Sequence, residues 1–391
     1  MIRPMPRVLL LVPTATYRAP DFIRAAKDLG IDLVVGSDEA PPYATAGRAI
    51  VLPLDDPVAA ATLIESLDRD RAVDAVVAID DQGVIVAATT GERMGLPHNP
   101  PDAVAATRDK AALRARLAAA EVPQPRFGPT PDAVGYPCVV KPTGLAGSQG
   151  VIRCDSPAEF DAAVTRIRAF WTGEIIVEEY LPGVEVAVEA ILRAGELTVL
   201  AIFDKPDPLV GPYFEETIYV TPSRLAAETQ RSVIELVARA AAGIGLTEGP
   251  VHAEVRVDGD RCTLIEVAAR TIGGLCARTL RFGAGISLEE VVLRHALGMD
   301  FGNLARTTGA SGVMMLPIPR AGTLRAVDHR DRALAVPGVV DLDITIPIGA
   351  PVVPLPEGDR YLGFLFATGV SPAAVEASLR AGADALSIVV D

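Results

Sequence analysis

Between residues 7 and 94 the chain alternates short β-branched runs with longer amphipathic segments, and this alternation constrains the fold more than any other feature. The runs RVLLLVP (7–13), IDLVVG (31–36) and DAVVAI (74–79) are separated by segments with helical periodicity at 19–29, 57–70 and 84–94. Strands that alternate with helices form parallel βαβ units, and near-continuous apolar strands are those covered on both faces. The first ~100 residues therefore predict a small doubly wound domain. No GxGxxG follows the first strand, where PTATYRAP stands instead, so the dinucleotide fingerprint is absent.

Helical periodicity continues at 102–120, and the proline-rich stretch VPQPRFGPTP (122–131) ends it, because proline cannot continue the hydrogen-bond ladder. Beyond it YPCVVKP (136–142), VIRCD (151–155), a helix over 157–170 and EIIVEEYL (174–181) form a compact α+β unit able to act as a lid. GVEVAVEAILRAGELTVLAIFDKP (183–206) reads as two antiparallel strands about an Ala194-Gly195 turn. A helix over 225–244, a hairpin over 251–270, the run YLGFLFATG (361–369) and a last helix over 372–386 complete the chain. The expected architecture is α/β, with an N-terminal domain at 1–112, a lid at 113–182 and a larger C-terminal α+β domain at 183–391.

Composition excludes several classes of function. Thirty-six Lys and Arg against fifty Asp and Glu give a net charge of −14, which argues against a surface built for nucleic acid or an acidic membrane. The four cysteines, Cys138, Cys154, Cys262 and Cys276, form no CxxC pair and no zinc-like spacing with histidine. No apolar run approaches the ~18 residues of a membrane span, and no cleavage signature follows Val8 to Val12. A cytoplasmic protein without disulfides is expected.

Three segments carry chemistry. In VVKPTGLAGSQGV (139–151), a strand-borne Lys141 precedes a loop containing Gly144, Gly147, Ser148 and Gly150. Small residues let backbone N–H groups approach phosphate oxygens, and a fixed ammonium neutralises one of them; an ordinary flexible turn is the plainer reading. The loop is not a Walker A motif, since GK[ST] is missing. VEEYLPGVE (177–185) offers hinge amides and carboxylates suited to an adenine edge and ribose hydroxyls, or else a solvated acidic strand end. In the hairpin, pairing of the apolar faces sets Glu254 opposite Glu266. Facing carboxylates repel, and a divalent cation between them relieves this, with oxygen ligands selecting Mg²⁺ or Mn²⁺. His252 shares that face and has either an amine-orienting or a structural role.

The ordered set Lys110 in RDK, Lys141 in VVKP, the small-residue loop, VEEYLPGVE, HAEV (252–255) and IEVAAR (265–270) resembles the ATP-grasp superfamily. Within it, IEVAARTIGG, FDKPDPLVGPYFEETIYVTP and YLGFLFATG look like the group of L-amino acid ligases and carnosine synthase. The resemblance implies that Lys110 and Lys141 contact ATP phosphates under Gly147, Ser148 and Gly150. It implies further that Glu178, Glu179, Tyr180 and Leu181 meet adenine, Glu185 the ribose, and Glu254 and Glu266 the metal ions. It implies an ADP-forming carboxylate–amine ligase that makes an acyl phosphate, with Arg270 holding the acyl phosphate or tetrahedral intermediate and His252 beside the amine. Many relatives carry Asn where this chain has Ala268, so coordination there is thinner or completed by water. Lys205, Glu215 and Glu216 fall in a segment suited to a substrate loop. A biotin carboxylase-like subunit and a nucleotide-binding regulatory protein remain alternatives. Partners are small-molecule carboxylates and amines rather than nucleic acid or membrane, and a homodimer is left open.

Overall fold

The computed structural model describes residues 5–13, 16–40, 48–307 and 309–391. Its first layer is a parallel sheet in the spatial order Ala49–Val51, Asp32–Ser37, Arg7–Leu11, Ala75–Ala78. Val8, Leu9, Leu10 and Leu11 are fully buried, as an apolar strand flanked by helices on both faces requires. The helices Ala19–Asp28 and Leu288–Ala296 pack together over one face, and Pro57–Asp70 and Val84–Met94 pack together against the sheet as well.

A second sheet has the order Phe127–Gly128, Ile175–Glu179, Cys138–Pro142, Ile152–Cys154, with the helix Pro157–Arg168 packed on it. The third is an eight-stranded antiparallel sheet. It runs Arg261–Ala268, Gly249–Asp258, Val184–Arg193, Glu196–Lys205, Ile218–Thr221, Ala310–Leu316, Gly363–Gly369, Val339–Ile344. The Ala194-Gly195 turn joins Val184–Arg193 to Glu196–Lys205 with both residues at positive φ, 52° and 81°, the geometry of a type I′ hairpin. The helix Ala227–Ile244 covers one face through Val233, Val237, Ala240 and Ile244, all fully buried.

The single helix expected over 102–120 is two. Pro101–Arg108 stops at Asp109, whose φ of −129° and ψ of 114° are extended, and Lys110–Ala119 starts afresh with the Asp109 carboxylate accepting the Ala112 N–H at 2.8 Å. An Asp that can satisfy an orphan amide makes a better N-cap than an interior helical residue. The break turns Lys110 toward the lid, where its backbone N–H donates to Thr143 O at 3.0 Å. The helix so started runs across residue 112. Among the described residues no helix is long and apolar enough to cross a membrane.

Candidate active site

The second sheet, the expected lid, brings the first group of candidate side chains together. Register sets Val139 directly opposite Glu178, so Lys141, two residues on, reaches the same carboxylate diagonally. Its Nζ lies 2.6 Å from Glu178 Oε2, and Arg114 Nε lies 2.7 Å from Oε1. Burial pushes the Glu178 carboxyl up, but the charges and hydrogen bonds of Arg114 and Lys141 outweigh it and hold the pKa at about 2. Lys110 Nζ donates to Leu145 O at 2.5 Å, which ties the first turn of its helix to the small-residue loop. Burial lowers the Lys110 pKa, with Glu266 opposing. Glu179 is held by Arg126 at 2.8 Å, and the guanidinium of Arg153 lies 4.2 Å from the centroid of the Tyr180 ring.

The hairpin supplies the second group. Glu254 pairs with Glu266 as the apolar pattern requires, through a bulge that leaves Ile265 without an opposite residue. One extra residue on one strand shifts the register and so decides which side chains share a face. Glu254 does not stand alone with Glu266. Lys205, 3% exposed in its side chain, lies 2.7 Å from Glu185 and 2.9 Å from Glu254 and also bonds Glu216. Burial alone would lower the Lys205 pKa, but the three carboxylates raise it well above its ordinary value. Three anions about one ammonium leave excess negative charge. Burial, then the Glu254 charge, accordingly pushes the Glu216 pKa up, while Lys205 opposes. Carboxylate oxygens of Glu185, Glu216 and Glu254 lie within 4.8 Å of one another. Glu185 is also paired to Arg256 at 2.8 Å. His252 bonds the buried Glu189, which in turn accepts the Ile272 N–H at 3.0 Å. Burial lowers the His252 pKa, but Glu189 and Glu254 raise it to about 9.

These groups line two cavities that share a wall. One, of about 680 Å³, lies between lid and large sheet and is lined by Lys110, Lys141, Glu178, Glu179, Tyr180, Leu181 and Glu185. The other, of about 1620 Å³, is a chamber whose wall includes His252, Arg270, Tyr17, Arg18, Asp80 and Asp81. Gly147, Ser148, Glu216, Glu254 and Glu266 line both. The polar juncture therefore lies under the loop and beside the paired carboxylates.

Family models match three stretches of the chain. An ATP-grasp domain model matches residues 134–279, an ATP-grasp N-terminal domain 23–98, and an L-amino acid ligase C-terminal domain 314–391. The chain belongs to the ATP-grasp superfamily. The crystal structure of L-amino acid ligase from Bacillus licheniformis superposes with a TM-score of 0.82 at 26% identity, covering 99% of each chain. Alanine–anticapsin ligase of Bacillus subtilis is 28% identical over 255 residues, 57% of this chain and 53% of the relative. The chain thus matches about half the length of that relative. A carboxyaminoimidazole ribonucleotide synthase from Aspergillus clavatus, complexed with ATP, shares the fold at a TM-score of 0.76 and 17% identity over 97% of this chain and 98% of that one.

In this ATP-grasp chain two expectations need correction. Gly150 lines neither cavity: its φ is +70°, a Cβ there would meet Pro142 at 2.6 Å, and its N–H goes to Pro356 O at 2.9 Å. It shapes the loop from behind, while Gly147 and Ser148 face the cavities. Arg270 does not continue the strand, which ends at Ala268. Its fork is engaged by Asp81, at 2.8 and 3.0 Å, and Nη1 donates to Thr271 O at 2.9 Å. Arg108 reaches the same Asp81 at 3.1 Å. Arg270 therefore lends the chamber a fixed positive charge rather than a free fork. Asp81 escaped the sequence reading, although its place just past the carboxyl end of Ala75–Ala78 was a signal, since ligands of parallel sheets sit there. Lys205 and Glu216 belong to the core of the site rather than to a mobile substrate loop.

Proposed function

We propose that this ATP-grasp carbon–nitrogen ligase joins the carboxylate of one amino acid to the amine of another, by way of an acyl phosphate, with release of ADP and phosphate. The observation that carries the reading is the shared wall. The smaller cavity is lined by the motif residues expected to hold adenine, ribose and phosphates, and among the described residues it meets the large chamber at the small-residue loop and the carboxylates Glu216, Glu254 and Glu266. A terminal phosphoryl group presented there is in reach of a carboxylate in the chamber.

The residues divide the work accordingly. Lys110 and Lys141 offset phosphate charge from the lid side, and Gly147 and Ser148 cover the juncture and exclude water. Glu254 and Glu266 fit a hard divalent cation, because they face one another in register and offer only oxygen donors. Mg²⁺ held there would neutralise developing charge on the phosphates. Ala268 supplies no further donor. Arg270, fixed by Asp81, faces the chamber as a cation for the substrate carboxylate or acyl phosphate. His252, oriented by Glu189 and lying beside Glu254, lines the chamber where the amine would enter. The wall holds acidic Asp80 and Asp359 as well as basic Arg18 and Arg360, a mixed lining suited to zwitterions.

A screen of pairwise amino acids for phosphate release, with products weighed by mass spectrometry, tests the reading. A pair that yields a mass equal to the sum of both minus water supports it. Phosphate release that needs bicarbonate and no amine would favour a carboxylase instead.

A further inference from the structure

A cavity of about 510 Å³ opens beside the short helix Cys276–Thr279 and the strands Ala310–Leu316, Gly363–Gly369 and Val339–Ile344 of the large sheet. It shares no lining residue with the reaction chamber: Cys276 faces the chamber, while Arg278 and Thr279 face this pocket. Three arginines line it, Arg278, Arg281 and Arg306, along with hydroxyl-bearing side chains that include Ser311 and Thr368, and among the described residues no carboxylate does. In a chain of net charge −14 such a lining is a local inversion of sign.

The arginines differ in how they are neutralised. Arg278 is paired with Asp21 at 2.7 Å and Asp343 at 3.0 Å. Among the described residues neither Arg281 nor Arg306 has an ion pair. Arg281 donates to Leu280 O at 2.7 Å, and Arg306 donates to Thr221 Oγ1 at 2.6 Å and, at longer range, to Gly309 O and Ser311 Oγ. Burial without a compensating acid lowers the Arg306 pKa, so its charge is maintained at a cost. Guanidinium groups gathered about one hollow repel, and an anion with several oxygens relieves both penalties by accepting in parallel from planar forks.

We infer that this pocket binds a compact dianion, a phosphate monoester or a dicarboxylate, at a site separate from the reaction chamber. The inference does not depend on the ligase reading. The test is calorimetric titration of the full chain, saturated with a non-hydrolysable ATP analogue and Mg²⁺, with inorganic phosphate and separately with malonate. At least one anion is expected to bind, and whichever binds more tightly identifies the oxyanion class. Arg306→Ala and Arg281→Ala should each weaken that binding at least about tenfold, the worth of a charge-assisted hydrogen bond, with nucleotide affinity unchanged. Arg306 also bonds the backbone, and its removal loosens that loop; among the described residues the Arg281 side chain bonds only the preceding carbonyl, which keeps the test decisive. Absence of binding for both anions at millimolar concentration would overturn the inference. So would equal affinity in Arg281→Ala and the parent, or binding abolished by Lys141→Ala.

Discussion

Replacing Glu178 by Gln tests the electrostatic floor of the smaller cavity, proposed above to hold the nucleotide. The carboxylate is 1% exposed and binds Arg114 at 2.7 Å and Lys141 at 2.6 Å. Its pKa falls from the usual 4.5 to about 2, which by linkage corresponds to about 3 kcal/mol of stability at neutral pH. Loss of one member of a buried pair gives a similar figure, ~3–5 kcal/mol. Gln also turns a donor toward two cations, one of which, Arg114, already has a buried and unpartnered Nη1. For cooperative unfolding of a chain this long, about 3 kcal/mol lowers Tm by roughly 4 °C. Because the folded pKa is depressed, the contribution is fully present above the unfolded pKa near 4.5 and is lost as pH falls toward 2. The gap between parent and variant should therefore be constant from pH 8 to 6 and narrow below about 4.5. Urea melts at several pH values read this directly. A variant within ~0.5 kcal/mol of the parent at pH 7, the range of an ordinary surface change, would refute the argument.

Other outcomes follow from the same geometry. Lys141→Ala should weaken ATP binding in calorimetry and also lower Tm, because it strips one of two cations from Glu178; unchanged nucleotide affinity would remove the lysine from the phosphate site. Lys205→Met should sharply cut soluble yield by removing the cation shared by Glu185, Glu216 and Glu254 and leaving Glu216, among the described residues, without a basic partner, with partial rescue by Glu216→Gln; a well-folded single variant would show that the hub is dispensable. Glu266→Gln should cost ~10²–10³ in turnover with a much smaller change in ATP affinity, and more than half the parental rate at saturating Mg²⁺ would overturn its assignment. Arg270→Lys and Asp81→Asn should lower both Tm and ligation rate while leaving ATP affinity nearly unchanged, since they share a two-bond contact; loss of stability with normal ligation would make the pair purely structural.

The parallel first sheet was legible because burial on both faces writes itself as unbroken apolar runs. The Glu254–Glu266 pairing was legible because apolar alternation on both strands outweighs the turn in setting register, even though a bulge at Ile265 was needed to reach it. The break at Asp109 was not, since Asp is tolerated within a helical pattern and only tertiary packing selects its cap role. The Lys205 cluster could not be read either: its carboxylates come from residues 11 to 49 positions away, and no local pattern encodes their convergence. The Arg270–Asp81 contact spans 189 positions and joins the first sheet to the large one. The resemblance implied a role for Arg270 at the acyl phosphate without revealing that its fork was already taken.

The central claim is that a substrate carboxylate takes the terminal phosphoryl group before an amine displaces it. Oxygen tracing tests this most directly. An accepted amino acid labelled with ¹⁸O in both carboxylate oxygens is ligated with ATP and an unlabelled amine, and the products are analysed by mass spectrometry. The expected products are ADP, phosphate carrying one ¹⁸O and an amide carrying the other. Label in AMP with unlabelled pyrophosphate, or unlabelled phosphate beside ADP, would contradict it.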